Sequence, residues 1–240
     1  MSGKYFKPAV PSPLEYFASL VKSDQQFPLL EAAISLSQIA YPTLDLQEAL
    51  AHVDRLGVRF QERLEDGQGE SETLHELNRF FFRDMGFGGN VNDYYDPDNS
   101  FIPRVLITRR GIPISLAVLW LEIASASGLQ VHGIGFPGHF LVKAVSQEFE
   151  GGEVVIDPFT GLELSRTALL ECLGPLDNPS NGSKSLAQQQ AWLNRYLQPA
   201  SPRDIIARML RNLLSIYQAE EDASRVREVQ QRLDLALSQR

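Results

Sequence analysis

Ser115, His139 and Asp157 are the residues whose types and spacing have the makings of a nucleophilic site. Ser115 falls in the first turn of an apolar helix that Pro113 opens and Gly128 closes, since proline suits the first helical position and glycine the residue past the end. A hydroxyl there lies near unpaired backbone N–H groups, whose partial positive charge favours a developing oxyanion. Three short strands are expected over 131–136, 139–145 and 153–156, so that His139 begins the second and Asp157 follows the third. The order is then nucleophile, base, orienter: the imidazole takes the hydroxyl proton and the carboxylate holds the imidazole tautomer. Each residue also has a structural reading. Ser115 suits capping of the Pro113 helix, His139 suits a half-buried ring bonded to Asp157, and Asp157 suits a turn before Pro158.

A second group of residues precedes the helix. The polar run 88–100 carries Asn90, Asn92, Tyr94, Tyr95, Asp96 and Asn99, and Arg109 and Arg110 follow it. Its glycines permit unusual backbone angles and its Asn and Asp side chains can bond their own backbone, so it reads either as an ordered structural loop or as the lining of a binding cleft. Asp93, Asp96 and Asp98 lack the twelve-residue spacing and terminal glutamate of a calcium loop. Arg109 and Arg110, with Arg104 nearby, suit a peptide carboxylate or an ion pair to Asp96 or Asp98. The aromatics Phe87, Tyr94, Tyr95, Phe101 and Phe136 line a cleft or fill a core.

Elements of the right kind surround these residues. Apolar residues recur at helical spacing from 14 to 64 and from 74 to 85, where Gly86 is a natural stop and Ser71 a candidate cap. The three strands, close in sequence, suggest an antiparallel meander packed on the Pro113 helix. The stretch 174–190 is rich in Pro, Gly, Ser, Asn and Gln and reads as a linker. Residues 203–217 and 223–237 then form an αα-hairpin near the length of one tetratricopeptide unit, too small to stand alone and expected to lean on the main domain. The organisation expected is therefore a core domain over 1–173, a linker over 174–190 and a helical tail over 191–240.

Composition bounds the rest. The 240 residues are 43% hydrophobic and 22% charged, a balance that folds. Lys plus Arg number 22 against 30 Asp plus Glu, a formal net charge of −8 that disfavours a large phosphate-backbone interface, so no nucleic acid is expected. The lone Cys172 makes no internal disulfide and reads as a small buried hydrophobe, and the four histidines show no zinc-ligand spacing. No metal, cofactor, signal peptide or membrane span is expected, and a cytoplasmic location fits.

The stretch Gly111-Ile112-Pro113-Ile114-Ser115-Leu116, the segment Pro137-Gly138-His139-Phe140-Leu141-Val142 and Ile156-Asp157-Pro158-Phe159 resemble the core of the transglutaminase-like superfamily. With the 90–100 loop, Arg109-Arg110-Gly111 and the helix around Arg208-Met209-Leu210-Arg211-Asn212-Leu213, the chain is more specifically similar to the bacterial SirB family, over residues 70–240. That resemblance implies a mainly helical α+β fold, with a papain-type core, a short antiparallel sheet and tetratricopeptide-like helices at the C-terminus. It also places Ser115 where the wider superfamily carries its catalytic cysteine, His139 at the histidine position and Asp157 at the acid position. A serine forms no thiolate near neutral pH. The expectation is thus a non-catalytic or regulatory protein that binds a peptide or protein on this scaffold, a pseudoenzyme. The alternative is a hydrolase of amide or ester bonds using Ser115, His139 and Asp157.

Overall fold

The structure, a computed structural model, describes residues 11–173 and 186–238. Helix α1 (Pro13–Leu20) begins at a reciprocal cap, in which Ser12 Oγ accepts from the Glu15 N–H and the Glu15 carboxylate accepts from the Ser12 N–H. Helix α2 (Leu29–Ser35) runs into a 3-10 turn at Leu36–Ile39, and α3 (Leu46–Gln61) is capped by the Asp45 carboxylate. Helix α4 (Glu70–Asn78) starts after Gly69, not at Ser71. The Ser71 N–H instead donates to Glu148 Oε2 at 3.1 Å, a carboxylate 77 residues away that does the work of a local cap. The helix then widens into a π turn over Arg79–Asp84, where the Met85 N–H reaches back to the Phe80 carbonyl. Both Phe80 and Phe81 are buried there.

Two-residue strands β1 (Gly88–Gly89) and β2 (Arg110–Gly111) pair in parallel on either side of a 3-10 turn (Pro97–Ser100) and helix α5 (Ile102–Thr108). Helix α6 (Pro113–Ala126) is buried from Pro113 to Leu121 and again at Ile123 and Ala124, as a helix apolar on nearly every side must be, with Glu122 reaching solvent. It contacts α2, α3, α5, β3 (Val131–Ile134) and β4 (Leu141–Val145). The sheet is antiparallel in the order β3, β4, β5 (Glu153–Asp157), β6 (Leu162–Glu163). The expected meander on the Pro113 helix is therefore present, with a fourth strand that had no sequence signal of its own. The first strand stops at Ile134, short of Phe136, and the second begins at Leu141, so His139 lies in the turn before β4 instead of opening the strand.

Helices α7 (Arg166–Leu173) and α8 (Leu186–Tyr196) cover the outer face of the sheet through a cluster of Ile134, Phe136, Leu141, Val155, Leu169 and Leu193. Helix α8 takes up 186–190 of the expected linker, and 174–185 lies outside the described residues. Cys172 is exposed on α7 and is not the buried hydrophobe expected of it, because Leu169 and Leu173 face inward and turn Cys172 outward. The final hairpin, α9 (Pro202–Ala219) and α10 (Ala223–Leu237), packs into the main hydrophobic core through Ile206, Met209, Leu213, Tyr217, Val229 and Ala236. Arg203 pins it. Its guanidinium is 3% exposed and donates to the carbonyls of Val21 (2.8 Å) and Ala236 (2.7 Å) and to Asp24 Oδ1 (2.7 Å).

Candidate functional site

The turn between β3 and β4 presents His139 and the end of β5 presents Asp157, and antiparallel pairing of β4 with β5 brings the two together. His139 Nε2 and Asp157 Oδ1 are 2.7 Å apart. The same carboxylate accepts from the Phe159 N–H at 2.8 Å and the Thr160 hydroxyl at 2.9 Å. Burial pushes the Asp157 carboxyl up, and the bonds from His139, Phe159 and Thr160 outweigh it, holding the group below its usual range. An ionised carboxylate only accepts, so Nε2 carries the proton and Nδ1 is the nitrogen left for other work. Asp157 thus fills both roles its sequence context allowed, orienting the histidine and capping the Pro158 turn. His139 keeps a third of its side chain exposed.

Ser115 is placed differently. It is 0% exposed, and its hydroxyl lies 2.6 Å from the Asn99 carbonyl and 3.0 Å from the Ile112 carbonyl while accepting from the Ile112 N–H at 3.2 Å. All its hydrogen bonds run to backbone, in the manner of a cap that also ties the helix start to the preceding loop. The close approach depends on Gly111, where a Cβ would lie 2.7 Å from Ser115 Oγ. His139 and Asp157 are joined; Ser115 makes no hydrogen bond to either.

The 88–100 loop is ordered by its own amides. Asn99, 3% exposed, donates through Nδ2 to the Asp93 carbonyl at 2.6 Å and accepts from Asn90 Nδ2 at 3.0 Å, while the Asp93 N–H donates to Asn90 Oδ1. The Asp96 carboxylate caps the short turn by accepting from the Asp98 N–H. Asn90, Asp96 and Asn99 therefore build the loop, and Asn92, Tyr94 and Tyr95 are shown to solvent together with Val91 and Asp93. Phe159 joins this loop to the sheet: its carbonyl accepts from the Gly89 N–H at 2.8 Å, and its ring lies 5.9 Å from that of Tyr94. Phe87, Phe101 and Phe136 are core residues and line no cleft.

The arginines also depart from expectation. Arg104 pairs with Asp98, but Arg109 and Arg110 pair with neither Asp96 nor Asp98. Arg109 closes α5 in a left-handed conformation (φ 60°) with its guanidinium 4.6 Å over the Phe87 ring. Arg110 Nη1 donates to the Gly86 and Arg109 carbonyls. The geometry makes both residues splints of the β1–β2 junction, a role invisible while their partners were sought among nearby acids.

One residue of the site had no role assigned from sequence. Arg208, on α9, donates through Nη2 to the His139 carbonyl at 2.6 Å and the Phe136 carbonyl at 3.2 Å, and its guanidinium lies 5.5 Å over the Phe140 ring. The C-terminal hairpin thereby holds the histidine turn. Its sequence signal was its place in the Arg208-Met209-Leu210-Arg211-Asn212-Leu213 segment that carries the family resemblance, on a helix otherwise committed to the core. Among the described residues no cluster of three or more His, Cys, Asp or Glu could hold a metal ion, and no helix is long and apolar enough to cross a membrane.

Comparison with known proteins returns one family. Residues 47–211, which include Ser115, His139, Asp157 and Arg208, match the model described as the transglutaminase-like superfamily. A UPF0162 protein of Xylella fastidiosa (strain 9a5c) is 35% identical over 196 residues, 81% of this chain and 66% of that protein. A UPF0162 protein of Pseudomonas aeruginosa is 29% identical over 208 residues, 84% of this chain and 72% of the relative. Human F-box only protein 21 is 39% identical over a shorter stretch of 74 residues, 31% of this chain and 12% of that protein. The chain thus spans just under two thirds of the length of the Xylella relative. No solved structure matches significantly.

Proposed function

The chain belongs to the transglutaminase-like superfamily, as a relative of the bacterial UPF0162 proteins, and on that premise we propose that it binds a peptide or protein segment without cleaving it. The carrying observation is Ser115. Its hydroxyl occupies the superfamily's nucleophile position by resemblance, yet it is sealed from solvent and bonded to the Asn99 and Ile112 backbone. A nucleophile needs a base within hydrogen-bond reach and a path for the substrate, and Ser115 has neither. The surrounding scaffold is intact, however: the His139–Asp157 pair, the Phe159 bridge and the exposed tyrosines form one surface. Tyr94 is 43% and Tyr95 76% exposed, with rings 5.3 Å apart edge to face, and exposed tyrosines of this kind supply large contact area at low entropic cost. We assign peptide contact to Asn92, Tyr94, Tyr95 and the open face of His139. The finer kinship with the SirB family and the tetratricopeptide character of the last helices belong to the same proposal, as do a cytoplasmic location and the division into a core over 1–173 and a tail over 191–240.

A specific observation favours a second reading. A histidine oriented by a buried carboxylate, with Nδ1 free, is two thirds of a hydrolytic triad, and movement of the 88–100 loop would be needed to bring Ser115 to it. One experiment separates the two. The native chain and Ser115→Ala are treated with a fluorophosphonate serine probe and screened against a peptide array, with Tyr95→Ala alongside. Binding that survives Ser115→Ala and weakens in Tyr95→Ala, with no labelling of the native chain, supports the binding reading. Labelling that disappears in Ser115→Ala overturns it in favour of hydrolysis.

A further inference from the structure

Helix α3 carries His52, Arg55 and Arg59 at spacings of three and four, which places them on one face of the helix over about 10 Å. Helix α5 packs against α3, and the residue that closes α5, Arg109, comes to this face: its charge acts on His52 near one end of the stripe, and the charge of Arg59 near the other end acts on it. Arg109 is fixed in place. Its backbone is left-handed, and its guanidinium lies against Phe87, which in turn stacks on Phe81 at 4.5 Å and 19°.

What sets this group apart is missing compensation. Arg63, just past the C-terminal end of α3, pairs with Asp84 and Glu76; Arg79 pairs with Glu76, and Arg104 with Asp98. Arg55, Arg59 and Arg109 have no ion pair among the described residues, and Arg109 Nη1 is buried with no hydrogen-bond partner. Two acidic groups act from the ends of the stripe: Glu48, one turn before His52, and Asp84, which is committed to Arg63. Burial and the positive charges of Arg109 and Arg55 hold the His52 ring below its usual range, as a local positive field requires. In a chain of net charge −8, three uncompensated guanidiniums around one histidine run against the overall field. Self-repulsion and an unmet N–H both cost stability, and both are relieved by a bound anion.

We propose that His52, Arg55, Arg59 and Arg109 form a binding site for a phosphate group. Guanidiniums suit phosphate because their planar N–H forks meet its oxygens in pairs, and a spread of about 10 Å suits two linked phosphates better than one. Solvent-exposed Arg55 and Arg59 would close over the anion from α3, with Arg109 as the fixed floor. The site is independent of the peptide surface around Tyr94 and Tyr95, so failure of either leaves the other standing.

The test is calorimetric titration of the full chain with pyrophosphate at ionic strength held constant with sodium chloride, while the His52 ring resonances are followed by NMR. Adenosine triphosphate without magnesium is titrated in parallel: equal affinity identifies the phosphate group alone as the ligand, and tighter binding identifies a nucleotide. Arg55→Gln with Arg59→Gln replaces exposed helix residues by a good helix former, so the fold survives. The double variant is expected to weaken binding by about tenfold or more, since each lost charged hydrogen bond matters at that level. Glu48→Gln is expected to strengthen binding a few-fold. Absence of heat and of any His52 shift at millimolar pyrophosphate, or affinity unchanged in the double variant, overturns the proposal.

Discussion

Replacing Ser115 by alanine separates a structural serine from a catalytic one through stability alone. The hydroxyl gives one proton to the neighbouring carbonyls of Asn99 and Ile112 and takes the Ile112 N–H. None of these groups is orphaned when it goes: the Ile112 N–H also reaches the Asn99 carbonyl at 3.3 Å, and the Ile112 carbonyl also accepts from Leu116. The loss is therefore about one to two net hydrogen bonds without a desolvation penalty, or about 1–2 kcal/mol. In a chain of this size that lowers Tm by about 2–8 °C. Ser115→Cys should cost more, about 1–3 kcal/mol, because the 2.6 Å approach to the Asn99 carbonyl leaves no room for sulfur. Its thiol should resist alkylation until the protein unfolds, since reactive thiols need access. Circular dichroism melts and urea titrations of the three proteins measure both effects, and iodoacetamide labelling in native buffer, with the exposed Cys172 replaced by serine, reads the thiol. A neutral or stabilising Ser115→Ala would refute this reasoning, because stability gained on removal is the mark of a site strained for function. A rapidly alkylated Cys at 115 would refute it equally.

Asp157→Asn should alter acid stability. The folded-state pKa of Asp157 is held below its unfolded value, so its contribution is present above about pH 4 and fades as pH falls through the folded value. Native urea midpoints should drop through that window and those of Asp157→Asn should drop less; parallel profiles would show that the His139 pair contributes nothing. Arg203→Met removes the donor to two buried carbonyls and should cost about 3–5 kcal/mol, whereas Asp24→Asn, at a side chain 67% exposed, should cost less than about 1 kcal/mol. Equal costs in urea melts would mean that the ion pair, not carbonyl satisfaction, pins the hairpin. Gly89→Ala places a methyl 2.4 Å from the Phe159 ring and should cost about 1–3 kcal/mol, with partial recovery in the Gly89→Ala, Phe159→Leu double variant. Strict additivity in the double-mutant cycle would remove the contact from the account.

The sequence by itself determined the parts of this protein that local pattern and short-range order encode. The apolar run from Pro113, the period-two segments around Pro137-Gly138 and the amphipathic stripes of the last two helices were legible because each element buries one face, and burial imposes its own period. The meeting of His139 with Asp157 followed almost automatically, since antiparallel pairing sets the start of one strand beside the end of the next. The loop amides of Asn90 and Asn99 were legible as ordering groups for a related reason, because their partners lie within ten residues. Tertiary structure alone decided what depends on distant partners. It sealed Ser115 under the Asn99 carbonyl, turned Cys172 outward, and capped α4 with a carboxylate 77 residues on. It also brought Arg208 across from the C-terminal helix to hold the histidine turn, and set Arg109 on Phe87 instead of against an aspartate. A nucleophile and a cap share one residue type at one helix position; what tells them apart is access and the direction of a single hydroxyl. Those are set by the packing of chain segments that no local window contains.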